Sequence, residues 1–176
     1  MNTKELISYF EKKYNKKINE FNDEWDEISN FEYLTEDFIE KYENKVHWYY
    51  ISKYQKLSEK FIEKYKNKVG WLYVSCYQKL SEKFIEKYKN KVNWGWISKY
   101  QKLSEKFIEK YKNNVWWFHI SIHQKLSGEF INKYKNKINF DFLSKQNQIN
   151  YLKYQIKHNI ISNSEYLKEI LKLHTE

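Results

Sequence analysis

Lys53 to Val69 read KYQKLSEKFIEKYKNKV, and Lys99 to Val115 read the same letters with Asn114 in place of the penultimate Lys. From Tyr77 the chain runs YQKLSEKFIEKYKNKV once more. Working outward, Leu34, Leu57, Leu80, Leu103 and Leu126 are spaced by 23 residues. The same step separates Trp25, Trp48, Trp71, Trp94 and Trp117, with Phe140 in the next place, and it separates Ser29, Ser52, Ser75, Ser98, Ser121 and Ser144. Self-similarity at a fixed period of this size marks a repeat architecture.

Each period divides into two short helices. In LSEKFIEKYKNKV, Ser58 suits an N-cap, Glu59 suits the positive helix end, and Leu57 and Ile62 stand at the two positions of a hydrophobic staple. Phe61, Ile62, Tyr65 and Val69 then fall on one face of a 3.6-residue period. We call this helix A. In VNWGWISKYQK, Asn93 suits a cap, Val92 and Ile97 suit a staple, and Trp94, Ile97 and Tyr100 form one stripe, so a helix B is expected there. Helices this short are marginal alone and have to bury their stripes on neighbours. The expected fold is therefore all-α, a right-handed-type α-solenoid of about five 23-residue helix-turn-helix repeats. We read residues 1–176 as a single domain, with 1–24 a degenerate N-terminal cap, 25–147 the repeats and 148–176 a C-terminal helical cap. The recurring sentence is scaffold, and Trp71 is expected to lie buried between units.

Composition narrows the function classes. The chain of 176 residues carries a net charge of +9, and all of its 32 basic residues are Lys. Abundant Lys, Asn, Ile, Tyr and Phe are what an A/T-rich genome encodes, so basicity here is weak support for a polyanionic partner. Residues 1–46 hold 7 Lys against 12 Asp and Glu, so an acidic end precedes a basic body. No apolar run is long enough for a membrane span, no apolar leader is evident at the start, and the lone Cys76 offers no disulfide framework. A cytosolic, reducing compartment is expected.

The spacing Trp48-x-x-Ile51-Ser52-x-x-Gln55 looks like the W-x-x-L-G-x-x-Y opening of tetratricopeptide helices, although the period here is shorter. Residues 25–147 more closely resemble the short W-x-x-I-S…L-S/T-x-x-F-I helical repeats that occur in arrays in uncharacterised proteins of giant viruses, A/T-rich bacteria and their phages. That resemblance implies architecture and carries no activity. It also implies a setting in which an inhibitor or adaptor acting on a host or defence protein is the concrete form of function.

Comparison of the repeats with one another separates scaffold from candidate contact residues. Positions fixed in every copy serve stacking, and positions that differ are free to specialise. The variation concentrates in helix B: His47, Gly70, Asn93, Trp116; Tyr49, Leu72, Gly95, Phe118; Tyr50, Tyr73, Trp96, His119; and Lys53, Cys76, Lys99, Ile122. Large and dissimilar aromatics on a fixed frame resemble interface anchors. Tyr49, Tyr50, Tyr73, Trp96, Trp116, Phe118 and His119 are therefore the candidate binding residues, and a protein is the expected partner. The competing reading of the same positions is drift against a shared core.

The alternative is non-specific RNA or single-strand binding by a Lys ladder on helix A, comprising Lys56, Lys60, Lys64, Lys83, Lys87, Lys106 and Lys110. Against it, Glu59, Glu63 and their copies are interleaved and can pair with lysines at i, i+3, and Arg is missing. His119 and His123 have a metal-compatible i, i+4 spacing, but their counterparts Trp96 and Tyr100 mark them as aromatic replacements, so no metal site is expected. Cys76 replaces a Lys and makes a poor candidate nucleophile. Near-identical units offer no asymmetric acid, base and nucleophile, so no catalytic residue, cofactor or small-molecule substrate is expected.

Overall fold

The computed structural model describes residues 1–31 and 33–175, the side chains of residues 174 and 175 excepted. Among these residues all regular structure is helical. The helices are α1 (Thr3–Tyr14), α2 (Glu24–Ser29), α3 (Glu36–Lys41), α4 (Trp48–Tyr54), α5 (Glu59–Lys64), α6 (Trp71–Tyr77) and α7 (Glu82–Lys87). They continue with α8 (Trp94–Tyr100), α9 (Glu105–Lys110), α10 (Trp117–His123), α11 (Gly128–Lys133), α12 (Lys145–Lys157) and α13 (Asn163–Thr175), and 3₁₀ turns lie at Ile18–Glu20 and Phe140–Phe142. From α2 to α11 the even-numbered helices are helix B and the odd-numbered ones helix A. The chain forms two compact units, Met1–Asn93 and Trp94–Glu176. Each is an all-α stack of 23-residue repeats, as in an α-solenoid.

Helix A forms as its cap and staple dictate. Ser58, Ser81, Ser104 and Ser127 each accept the N–H of the Phe three residues on, and Thr35 does the same for Phe38. Leu57, Phe61, Ile62, Tyr65 and Val69 are all buried. The chain leaves α5 through a tight turn in which Lys68 and Val69 both donate to the Tyr65 carbonyl.

Helix B shows three features that lie outside the reading of a single repeat. Its start is held by the preceding repeat, without a side-chain cap at His47, Gly70 or Trp116. The backbone N–H of His47 donates to Ser29 Oγ, that of Gly70 to Ser52, that of Asn93 to Ser75 and that of Trp116 to Ser98, over 2.7–3.0 Å. Each of these serines in turn donates to the carbonyl of its own Trp, and each is fully buried. Second, Trp71 is half-buried, as are Trp48, Trp94 and Trp117, while Trp25 alone of the ladder is buried. The Trp71 ring lies against Tyr88 and Phe84, and its indole N–H donates to the Lys66 carbonyl. Third, Tyr100 leaves the stripe and is 49% exposed. The residue that turns inward one place later is a glutamine.

Gln55, Gln78, Gln101 and Gln124 are buried polar side chains at the 23-residue step. Gln55, Gln78 and Gln124 each bond to the backbone of the repeat before. In the first unit, the Gln78 carbonyl accepts from Leu57 N–H while its amide nitrogen donates to the Ser52 and Gln55 carbonyls. In the second unit, Gln124 accepts from Leu103 N–H and donates to the Ser98 and Gln101 carbonyls. Three backbone groups left unpaired by the break between helix B and helix A are thus satisfied by one amide.

The second unit also shows how the stack ends. Asn147, in the first turn of α12, takes the glutamine place: it accepts from Leu126 N–H and donates to the Gln124 carbonyl. Gly128 stands where the other repeats have Glu59, Glu82 and Glu105. A Cβ there would lie 2.3 Å from Tyr154 Cβ and 2.5 Å from the Asn150 carbonyl oxygen, so only glycine lets α12 lie this close to α11. Asn132 replaces the next Glu and donates to the Tyr154 hydroxyl. Both residues that reach forward to a following repeat are thus exchanged where α12 takes its place.

Candidate functional site

Three kinds of surface emerge. The helix A surface is ruled by pairing between successive repeats. Lys64 meets Glu40, Lys87 meets Glu63 and Lys133 meets Glu109, all 24 residues apart. Each Lys holds its Glu below the usual carboxylate range where a shift is resolved, at Glu63 and Glu109. The close pairs run between repeats, because stacking sets the same helix of adjacent repeats side by side, and Lys66 and Lys112 at the expected i, i+3 spacing add a weaker lowering of Glu63 and Glu109. A second link joins Glu36 to Ser58, Glu59 to Ser81 and Glu105 to Ser127, each carboxylate accepting both the N–H and the hydroxyl. Of the remaining ladder residues, Lys56, Lys60, Lys83, Lys106 and Lys110 are exposed.

A second surface runs along the turns, where Lys68, Lys91 and Lys137 lie over the outer faces of Trp48, Trp71 and Trp117 at 5.8–5.9 Å. The Trp is the same in every repeat and the Lys in most, so this edge belongs to the scaffold.

The third surface is the outward side of helix B, where the variable residues lie. In the first unit it brings Tyr49, Tyr50 and Tyr73 together: Tyr49 and Tyr50 are 5.0 Å apart between ring centroids, and Tyr49 and Tyr73 are 4.7 Å apart edge to face. Tyr50 stacks on Tyr54, Tyr73 stacks on Tyr77, and His47 lies beside Tyr50. Burial and the neighbouring Tyr49 hydroxyl raise the Tyr73 phenol above its ordinary range. Tyr49, Tyr54 and Tyr77 are exposed, at 38%, 45% and 55%.

In the second unit Trp116 is 59% exposed and stacks on His119, while Phe118 lies against His119 and Phe142. Trp96 is half-buried beside Tyr100, with Lys99 over both rings. Gly95, in the variable series of Tyr49, is buried. The His119 and His123 rings are 5.8 Å apart, and His119 Nδ1 is buried without a hydrogen-bond partner. Burial lowers both imidazoles, and the Lys99 ammonium lowers them further. Among the described residues no group of three or more His, Cys, Asp or Glu side chains could hold a metal ion.

Sequence reasoning missed the glutamine ladder and the exposed tyrosines Tyr54 and Tyr77. Gln55, Gln78, Gln101 and Gln124 carried a signal, since a polar residue unchanged at the 23-residue step marks a position the scaffold uses. Among the described residues no helix is long and apolar enough to cross a membrane. No family model, curated protein or solved structure matches the chain.

Proposed function

We propose that this chain is a non-enzymatic helical-repeat protein that binds another protein through the variable residues of helix B. Tyr49, Tyr50, Tyr73, Trp96, Trp116, Phe118 and His119 are its contact residues in this reading. The observation that carries it is a division within one helix. Ser52, Ser75, Ser98 and Ser121 each donate to the carbonyl of their own Trp, and Gln78 and Gln124 make matching bonds to the repeat before, while the residues between them differ and most lie at least partly exposed. At His47 and Trp116 the preceding repeat is met by the backbone N–H, and both side chains are exposed. Tyrosine and tryptophan give large contact area at low entropic cost, so they concentrate binding energy. An inhibitor or adaptor acting in the cytosol on a host or defence protein is the form this function takes.

The test uses the full chain as bait and a variant in which Tyr49, Tyr50, Trp96 and Phe118 are exchanged for residues found at the same places in other repeats. The exchange should weaken binding of the captured partner at least ~10-fold, about 1.4 kcal/mol. The control exchanges Lys60, Lys83 and Lys106 for Gln and should leave binding intact. Loss in the control with retention in the exchange variant would move the interface to helix A and overturn the proposal.

A further inference from the structure

The charged residues of the repeats are divided unevenly between the two helices. In α4, α6, α8 and α10 there is no Asp or Glu at all, whereas α5, α7 and α9 each carry two Glu and two Lys. The carboxylates of helix A are already engaged with the next repeat through Ser and Lys, as at Glu36, Glu40, Glu59 and Glu63. In the first unit, Lys53 is therefore the sole formal charge on the outward sides of α4 and α6.

Lys53 differs from Lys64 and Lys87, whose ammonium groups are taken by Glu40 and Glu63. Its ammonium lies 4.7 Å from the ring centroid of Tyr54 and 5.8 Å from that of Tyr49, and it makes no ion pair among the described residues. The groups acting on it are the Tyr54 hydroxyl, then Tyr49 and Tyr77, which together hold the ammonium above its ordinary range. The acidic part of this side of the unit, Asp26 and Glu27, belongs to α2, and Glu27 is taken by Lys13 and Tyr14. At the place in that repeat that corresponds to Lys53 stands the neutral Asn30.

Resting on the protein-binding reading above, we infer that Lys53 and the tyrosines 49, 50, 54, 73 and 77 form a site for a peptide segment carrying a carboxylate flanked by apolar side chains. The carboxylate pairs with the Lys53 ammonium, which lacks an anion of its own, and the apolar flanks lie on the exposed rings. Charge complementarity selects this occupant over a single strand of nucleic acid. Such a strand draws its affinity from several phosphate contacts at once, and these two helices supply one cation.

A random 12-residue peptide display library panned against the immobilised full chain tests this. Panning runs in parallel on Lys53→Gln, on Lys60→Gln, which removes the same charge from helix A, and on Tyr49→Ala with Tyr73→Ala. Position 53 holds Cys76 or Ile122 in other repeats, so Lys53→Gln should fold, and circular dichroism checks it. The expected peptides are enriched in Asp or Glu next to Leu, Ile or Phe. A synthetic copy should bind at least ~10-fold more weakly when its acid is replaced by the amide, and Lys53→Gln should erase that difference while Lys60→Gln keeps it. Enrichment without acids, or acids that persist on Lys53→Gln, would overturn carboxylate selection. It would leave protein binding standing if the tyrosine variant loses the peptides. A labelled U20 strand that binds the full chain in place of any peptide would overturn both.

Discussion

Gln78 shows how much one side chain can hold. Removing it leaves Leu57 N–H and the carbonyls of Ser52 and Gln55 without partners in a buried place. Unsatisfied buried groups cost about 1–3 kcal/mol each, so Gln78→Ala should destabilise by roughly 3 kcal/mol or more in urea unfolding. Trp71→Ala should cost less than a fully buried Trp would, about 2–3 kcal/mol, because the ring is half-exposed and forfeits one hydrogen bond to Lys66. The two values together rank the polar ladder above the aromatic one. The histidines of the second unit make a third prediction at this scale. Both His119 and His123 have folded pKa values below the ordinary 6.5, so the unfolded chain binds more protons as pH falls through that value. Stability contributed by the neutral imidazoles is full above ~6.5 and declines below it. Thermal melts from pH 7.5 to 5.5 should show that decline, and replacing both residues with Tyr, as found in other repeats, should flatten it.

At the scale of the element, helix A was legible from its sequence and helix B only in outline. Ser58, Glu59, Leu57 and Ile62 specify a cap and staple within six residues, so local chemistry decides where α5 begins. Helix B starts at a residue of any type, because the bond that holds it comes from Ser Oγ in the repeat before, 18 positions back. No local reading reaches a partner that far away. The same limit hid the ion pairs, which join Lys64 to Glu40 across repeats. The candidate contact residues were legible as variation among copies, while the position of Lys53 among the tyrosines required the packing of α4 on α6 to be seen. Element packing also explains Gly128. Gly128→Ala would place a methyl 2.3 Å from Tyr154 Cβ and push α12 off α11. It should destabilise by about 1–3 kcal/mol and raise amide hydrogen exchange in residues 145–157, whereas the equivalent Glu59→Ala should leave α5 in place.

For the whole molecule, the residues fixed in the repeats carry the stacking bonds, and the variable residues lie between them. Repeats that contact only their neighbours distribute stability over many similar junctions, so a change confined to side chains outside the stacking bonds leaves most of the sum intact. The most direct test is the unfolding free energy of the variant that exchanges Tyr49, Tyr50, Trp96 and Phe118 for their counterparts in other repeats, measured beside Gln78→Ala. The fourfold exchange should stay within about 1 kcal/mol of the parent, since each incoming residue is already accommodated at that place, while the single Gln78 change should lower stability by roughly 3 kcal/mol. A fourfold exchange that unfolds the chain, or a Gln78 variant as stable as the parent, would contradict that division between fixed and variable residues.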